Sequence, residues 1–328
     1  MVHKICHYLG KSNDPYRNLA IEQYLMETVG EDCCILYLWQ NRQTVVIGRN
    51  QNAWAECRTT ELNQDGGHLA RRLSGGGAVY HDMGNLNFTF LVSKKNYDLQ
   101  KQLQVIVTAC RNLGLDAQVT GRNDVTIDGR KFSGNAFFDS KGQAYHHGTL
   151  LIDVDMSMLG KYLMPSKAKL QSKGVDSVRS RVVNLKELCP SLTIQRMQEE
   201  MLKAFQSVYG LESAELSEEG FDLDYVNRLQ GRNASWEWNY GKSLPATFSC
   251  EERFPWGGIE LRLQVEKGSV AEAAVYSDAM EWDIAEILHS ALTGCRFSQQ
   301  QMQEAINGSA LPENIRQDLC VLIEKQNI

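Results

Sequence analysis

Asp128-Gly129 sits between two runs that alternate apolar and polar residues, one ending at Ile127 and one beginning at Arg130. A two-residue turn of this composition takes positive φ at both centres, so it closes a tight hairpin and fixes which residues face each other. Counting outward predicts Thr126 opposite Lys131, Val125 opposite Phe132 and Asp124 opposite Ser133. Paired residues share a face of the sheet. Val125, Ile127 and Phe132 then point one way, and Asp124, Thr126, Lys131 and Ser133 the other. That second face serves either chemistry or solvent.

The same alternation recurs upstream and downstream. "CCILYLW", "TVVIG", "HLARRL", "AVYHD", "LNFTFLV" and "YHHGTLLID" read as strands, interrupted by helical stretches at "NAWAECRTTEL" and "LQKQLQVIVTACRNLG". Ahead of them, Asp14 and Pro15 form a helix start, with Leu19, Ile21, Tyr24 and Leu25 on a helical period. Many hairpins and few β-α alternations predict an α+β fold, with helices beside a mixed sheet. After "SWEWNYG" the chain restarts as a small antiparallel sheet followed by three short helical stretches. The predicted domains are 1–243 and 246–328, with the linker near Lys242 to Pro245.

Composition narrows the function classes. The 328 residues carry a net charge of -6, which gives no global footprint for nucleic acid or membrane. Nine cysteines without C-x-x-C spacing form neither a disulfide framework nor a zinc site. The expectation is a cytoplasmic, reduced protein: no apolar run approaches a membrane span, and "MVHKICHYLG" lacks the apolar core of a signal peptide.

The second informative stretch is "ARRLSGGGAVYHDMGNLNFTF". Three consecutive glycines let backbone N–H groups turn toward an anion, and two arginines before them could neutralise it. The run has neither the Gly-Lys-Ser/Thr of a Walker loop nor a G-x-G-x-x-G opening a helix. Taken alone it reads more readily as a turn.

Its company decides the matter. "RRLSGGGAVYHDMGN", "GRND" followed by "DGRKFSGNAF", "HHGTLL" and "SKGVDSVRSRVVNL" stand in the order and spacing of the lipoate-protein ligase family, which the sequence resembles most in its bacterial members. The resemblance extends to "NLAIEQYL", "LYLWQNRQTVVIGRNQN", "SWEWNYG" and "RFPWGGIEL". It implies a catalytic domain like the biotin/lipoate ligase core with a small α+β accessory domain. It implies ATP and Mg²⁺, with lipoate as substrate. The reaction has two steps: lipoate and ATP give lipoyl-AMP and pyrophosphate, then the acyl group passes to a lysine of an acceptor protein. The implied acceptors are lipoyl domains of 2-oxoacid dehydrogenase complexes and the glycine cleavage H protein.

The resemblance also assigns residues. Lys131 matches the catalytic lysine, which bridges the α-phosphate and the acyl carboxylate. Asp124, on its face, either holds Mg²⁺ against the phosphates or pairs with Lys131 itself. Arg72 matches an arginine contacting the nucleotide phosphates and the acyl end, and Gly77, Ala78, Val79 and Tyr80 match the segment along the adenylate. Asp82 and Asn85 either contact the adenylate or fix their loop. Arg71 either joins them or serves the fold. Ser74, Gly75 and Gly76 would lie against the lipoate carboxylate and upper acyl chain, and Ser133 joins this set. Leu19, Trp39 and Leu73 are candidate walls of the acyl pocket. Adjacent strand residues point to opposite faces, so only one of His146 and His147 lines that pocket, and "HGTLL" selects His147. Lys167, Lys169, Lys173, Arg179 and Arg181 form a basic stretch that matches the adenylate-binding loop.

Two other classes share some of these features. An acyl transferase of the same superfamily needs a cysteine at the acyl carbonyl, and no cysteine lies from Arg71 to Ala109 or from Gly121 to Asp153. A binding module without catalysis would not need the full polar set, whereas an enzyme that only transfers the acyl group from a supplied adenylate shares the same motifs. A nucleic-acid regulator would need an additional DNA-binding element, which the sequence does not contain.

Overall fold

Asp14 accepts a hydrogen bond from the Tyr16 N–H at 2.8 Å and Pro15 takes the first helical position, so the chain enters α1 (Pro15–Thr28) where the sequence predicts. The structure is a computed structural model and describes residues 1–120, 124–164, 182–240, 248–266 and 268–326. The basic stretch with Arg179 and Arg181, and the linker at Lys242 to Pro245, lie outside the described residues.

The strands of the larger part are β1 (Lys4–Leu9), β2 (Cys33–Trp39), β3 (Thr44–Ile47), β4 (His68–Arg71), β5 (Val79–His81), β6 (Asn85–Ser93), β7 (Gln118–Thr120), β8 (Asp124–Ile127), β9 (Arg130–Ser140), β10 (Gln143–Leu151) and β11 (Ser213–Glu215). Eight of them form a mixed sheet in the order β11-β1-β2-β6-β10-β9-β8-β7, and β4-β3-β5 make a separate three-stranded sheet. β1 runs parallel to β2 and β11, and the remaining pairs of the large sheet are antiparallel. This is the α+β arrangement predicted.

Alternation along β6 divides the layers. Leu86, Phe88, Phe90 and Val92 enter the main core with α2 (Leu99–Asn112) and α4 (Ile194–Tyr209), whose buried residues include Leu103, Ile106, Met197, Met201 and Phe205. Asn87 and Thr89 point to the other face, where Glu22 of α1 reaches the Thr89 hydroxyl. α3 (Met156–Tyr162) sets Tyr162 against Tyr80 of β5, ring centroids 5.5 Å apart. The helix predicted across "NAWAECRTTEL" is broken into Ala53–Glu56 and Thr59–Gln64. Between them Cys57 forms an antiparallel bridge with Leu163, and the Arg58 N–H donates to the Tyr162 carbonyl at 2.9 Å. A tertiary strand contact overrides helical propensity there.

The C-terminal part builds β12 (Phe248–Phe254), β13 (Gly257–Glu266) and β14 (Ser269–Ser277) as an antiparallel sheet, backed by α5 (Ile284–Leu292), α6 (Gln299–Asn307) and α7 (Glu313–Glu324) around its own core. The chain divides into two compact units by contact density: Met1–Val46, Cys57–Ala70 and Val79–Asn239 form one, and Ile47–Glu56, Arg71–Ala78 and Tyr240–Ile328 the other. The second unit therefore takes in two short pieces of the N-terminal sequence, and one of them is the glycine loop. No helix among the described residues is long and apolar enough to cross a membrane.

His146 illustrates how the core constrains a titratable group. Its ring is fully buried, with Nε2 at 2.8 Å from Asn135 Oδ1 and Nδ1 at 3.1 Å from Gln102 Oε1. Burial lowers its pKa from 6.5 to about 3, with a smaller contribution from His147. A neutral imidazole needs one acceptor and one donor, and the Gln102 amide supplies the donor when turned over. Below pH 6.5 the unfolded chain binds a proton here that the folded chain refuses. Stability from this residue is therefore complete above that pH and falls as pH drops toward 3, at about 1.4 kcal/mol per pH unit. The expected NMR result is a His146 ring resonance that stays at its neutral position from about pH 8 to pH 5. A midpoint near 6.5 would contradict it.

Candidate active site

The predicted residues divide between the two units. In the first, the turn at Asp128 (φ 50°) and Gly129 (φ 73°) closes the β8–β9 hairpin as expected, with Ile127 facing Arg130 and Thr126 facing Lys131. Beyond Lys131 the register shifts by one residue. Val125 pairs with Ser133 and Asp124 with Gly134, where the sequence count paired Val125 with Phe132 and Asp124 with Ser133. Phe132 is the extra residue of a bulge, a device that period-two counting cannot see. The correction moves Ser133. It shares the core side with Val125, fully buried, and its Oγ has no hydrogen-bond partner, so it does not stand on the face of Lys131.

Lys131 and Asp124 do share a face. Their Nζ and Oδ1 atoms are 2.7 Å apart, each side chain a little over one-third exposed. Of the two roles open to Asp124, the ion pair is the one made in this structure. Among the described residues no group of three or more His, Cys, Asp or Glu converges as a metal cage. A lone half-exposed carboxylate still suits Mg²⁺, which takes one or two carboxylates and leaves its other positions to phosphates and water. The backbone of Lys131 is held as well: its carbonyl accepts from the Val183 N–H at 2.9 Å, and Val182 forms a parallel bridge with it.

A hydrogen-bonded chain runs through buried side chains on the α1 side of the sheet. Trp39 Nε1 donates to Thr89 Oγ1 at 3.1 Å, and Thr89 Oγ1 donates to Glu22 Oε1 at 2.7 Å. The same oxygen lies 2.8 Å from His147 Nδ1. His147 thus faces α1 while His146 enters the opposite core, the division predicted from strand geometry. Leu19, one helical turn before Glu22, is buried too. Glu22 was not anticipated, although its place three residues after Leu19 and three before Leu25 puts a carboxylate on the buried helical face.

Tyr80 is buried in β5, and burial raises its hydroxyl pKa well above 10. Val79 next to it is partly exposed. Both carboxylate oxygens of Asp82 accept backbone N–H groups, from Gly84 and Asp155, each at 2.8 Å. Asn85 is fully buried and its Nδ2 donates to Asn87 Oδ1 at 2.9 Å. The Asp82 bonds fix its loop, while Asn85 Oδ1 is buried with no hydrogen-bond partner among the described residues.

In the second unit the glycine loop packs on its own surroundings. The Gly76 N–H donates to the Ala279 carbonyl at 2.8 Å, with Gly76 at φ +87°. A Cβ on Gly75 would stand 2.3 Å from the Ala279 oxygen, so the run serves close backbone approach. Ser74 is fully buried, while Leu73, Gly77 and Ala78 are partly exposed. Arg72 Nε donates to Ser74 Oγ at 3.0 Å, and its Nη2 donates to the carbonyls of Gly75 and Gly77 at 2.6 and 2.8 Å. Arg71 Nη1 donates to the carbonyls of Gly48, Arg49 and Gln51, and burial lowers its pKa to about 10.

Residues 14–206 match the family of the lipoyl protein ligase A/B catalytic domain, more than half of the chain. The chain belongs to that family. Residues 243–322 of this lipoate-protein ligase family member also match the bacterial lipoate protein ligase C-terminus. Among solved structures, LipL1 of P. falciparum in complex with lipoate is 26% identical, with a TM-score of 0.87 over 98% of this chain and 99% of that one. A bi-partite archaeal lipoate protein ligase from Thermoplasma acidophilum, described with its E2 lipoyl domain, is 27% identical, with a TM-score of 0.65 over 75% of this chain and 99% of that one. A lipoate-protein ligase A bound with ATP shares the fold at 24% identity, with a TM-score of 0.62 over 74% and 99% of the two chains.

Proposed function

We propose that this family member is an ATP-dependent ligase that activates lipoate as lipoyl-AMP and then forms an amide on an acceptor lysine. The observation that carries the reading is Lys131, an ammonium held 2.7 Å from Asp124 on the open face of a hairpin whose backbone is pinned on both sides. In the first step a lipoate carboxylate oxygen bonds to the α-phosphorus and the bond to pyrophosphate breaks. Two anions meet, and an ammonium offsets their repulsion and the charge that builds on the phosphorus oxygens. In the second step the acceptor amine attacks the acyl carbonyl, AMP leaves, and the amine loses its proton. Lys131 then faces the carbonyl oxygen as it gains charge. Mg²⁺, where bound, would supply charge neutralisation at the phosphates from Asp124. The same reading gives Arg72, Gly77, Ala78, Val79, Tyr80, Arg179 and Arg181 to the adenylate, and Leu19, Trp39, Ser74, Gly75, Gly76 and His147 to lipoate.

Lipoyl domains are the proposed acceptors, supported by the archaeal relative described with its E2 lipoyl domain. The glycine cleavage H protein follows from the family resemblance.

The cysteines favour this reading over a thioester transferase. Cys57, Cys34 and Cys110 are buried, and burial pushes each thiol up to about 12. A nucleophilic cysteine needs the opposite shift. The deciding experiment is pyrophosphate release by the purified protein with ATP, Mg²⁺ and lipoate or octanoate, together with mass spectrometry of the enzyme. Lipoate-dependent pyrophosphate, full ligation by Cys57→Ser, and no acyl adduct removable by hydroxylamine are expected. An acyl-enzyme formed without ATP would replace the ligase with the transferase.

A further inference from the structure

Gly134 occupies the interior of β9, where a glycine ordinarily weakens a strand and offers no side chain to pack. Its φ lies outside the left-handed region, so the backbone does not require glycine. Space does. A Cβ built there would lie 3.0 Å from Lys131 Nζ and 3.1 Å from Lys131 Cε, and the next nearest atom, Thr149 Oγ1, is at 4.0 Å. The tight neighbours all belong to the end of one lysine.

We propose that Gly134 is a positioning residue for Lys131: the missing side chain opens the strip of β9 along which the lysine lies to reach Asp124. This rests on the reading of Lys131 as the catalytic lysine. The main chain of Lys131 is already fixed, by pairing with Thr126 on one side and by the Val183 N–H on the other. What remains adjustable is the direction of its long side chain. A methyl group at 134 would press on the flexible end of that chain and on no backbone atom. The lysine would give way and the strand would not.

Gly148 on β10 provides the contrast. A Cβ there would lie 2.6 Å from both the Gly134 carbonyl oxygen and Phe88 Cζ, so that glycine serves packing. Gly148→Ala is therefore expected to lower Tm, and Gly134→Ala to leave it unchanged.

The test is lipoyl-AMP formation by single turnover in four proteins: wild type, Gly134→Ala, Lys131→Ala and the double variant. Gly134→Ala should lower the maximal single-turnover rate by about 10- to 100-fold with the half-saturating concentrations of lipoate and ATP held within about 2-fold, the signature of a displaced reacting group. In the Lys131→Ala background the same change should alter the residual rate by less than about 2-fold, because a residue acting through the lysine has nothing left to act on. A loss that persists at full size in that background, or a fall in Tm on Gly134→Ala, would assign the glycine to the fold and overturn the proposal. Wild-type rates in Gly134→Ala beside an inactive Lys131→Ala would overturn it alone. Wild-type rates in Lys131→Ala would overturn the catalytic reading and the positioning role with it.

Discussion

Lys131→Ala is expected to lower lipoate-dependent pyrophosphate release by at least about 100-fold, the loss of roughly 3 kcal/mol that follows removal of one preorganised charge donor. The fold should survive. The side chain is over one-third exposed and its ion pair with Asp124 is solvent-accessible, so its net contribution to stability is no more than about 1 kcal/mol. Its register opposite Thr126 and its backbone bond to Val183 do not depend on the side chain. Transfer from lipoyl-AMP supplied in solution should fall as well, because the carbonyl under attack also gains negative charge. Asp124→Asn tests the partner: if Asp124 only restrains the lysine, its loss changes the rate less than loss of the lysine does. If it holds Mg²⁺, the variant should need a higher Mg²⁺ concentration for half-maximal rate. Rapid pyrophosphate release by folded Lys131→Ala would remove the basis for the proposed chemistry.

Much of this fold was legible because burial repeats with the period of the element. β6 reads Leu86, Phe88, Phe90 and Val92 on one side, and those residues do enter the core. The Asp14-Pro15 start and the Asp128-Gly129 turn carry their geometry in residue type alone, and both appear where expected. The bulge at Phe132 was not legible. Nothing in "GRKFSGNAF" distinguishes an inserted residue from a regular strand, and one residue is enough to carry Ser133 to the opposite face. The broken helix near Cys57 was hidden for a related reason. It depends on a bridge to Leu163, more than a hundred residues away, which local propensity cannot report.

The candidate site was legible mainly where the family motif names a residue, and less so where a residue works by being small or by being buried. Gly134 stands inside the motif, but its use appears only once the path of Lys131 is known. The glycine run shows the limit from the other side. Sequence logic offers backbone N–H groups to an anion, whereas the Gly76 N–H meets the Ala279 carbonyl and Arg72 meets carbonyls of its own loop. Close backbone packing and anion binding ask for the same residue type, and only three-dimensional neighbours separate them.

Glu22→Ala carries the largest expected loss of stability, and it tests the buried chain that joins Trp39, Thr89 and His147. The carboxylate is almost entirely enclosed, and one of its oxygens serves both the Thr89 hydroxyl and His147 Nδ1. Truncation leaves those groups buried without that partner and opens a cavity. Breaking such a group costs about 3 kcal/mol or more, which for a unit of this size lowers Tm by roughly 6 to 12 °C. Glu22→Gln retains an oxygen at the same place and should lose less than half as much. The chain also ends on Trp39 and His147, both proposed to wall the acyl pocket, and Trp39 joins the chain through Thr89. Releasing Thr89 therefore loosens the indole, and lipoate affinity should fall by about 10-fold in Glu22→Ala, measured by calorimetry at a temperature where the variant stays folded. A lowered Tm with unchanged lipoate affinity would make this chain a core network alone and would move the acyl pocket away from Trp39 and His147. An unchanged Tm would mean that water satisfies Thr89 and His147 as well as Glu22 does, and the enclosure of the carboxylate would then need another cause.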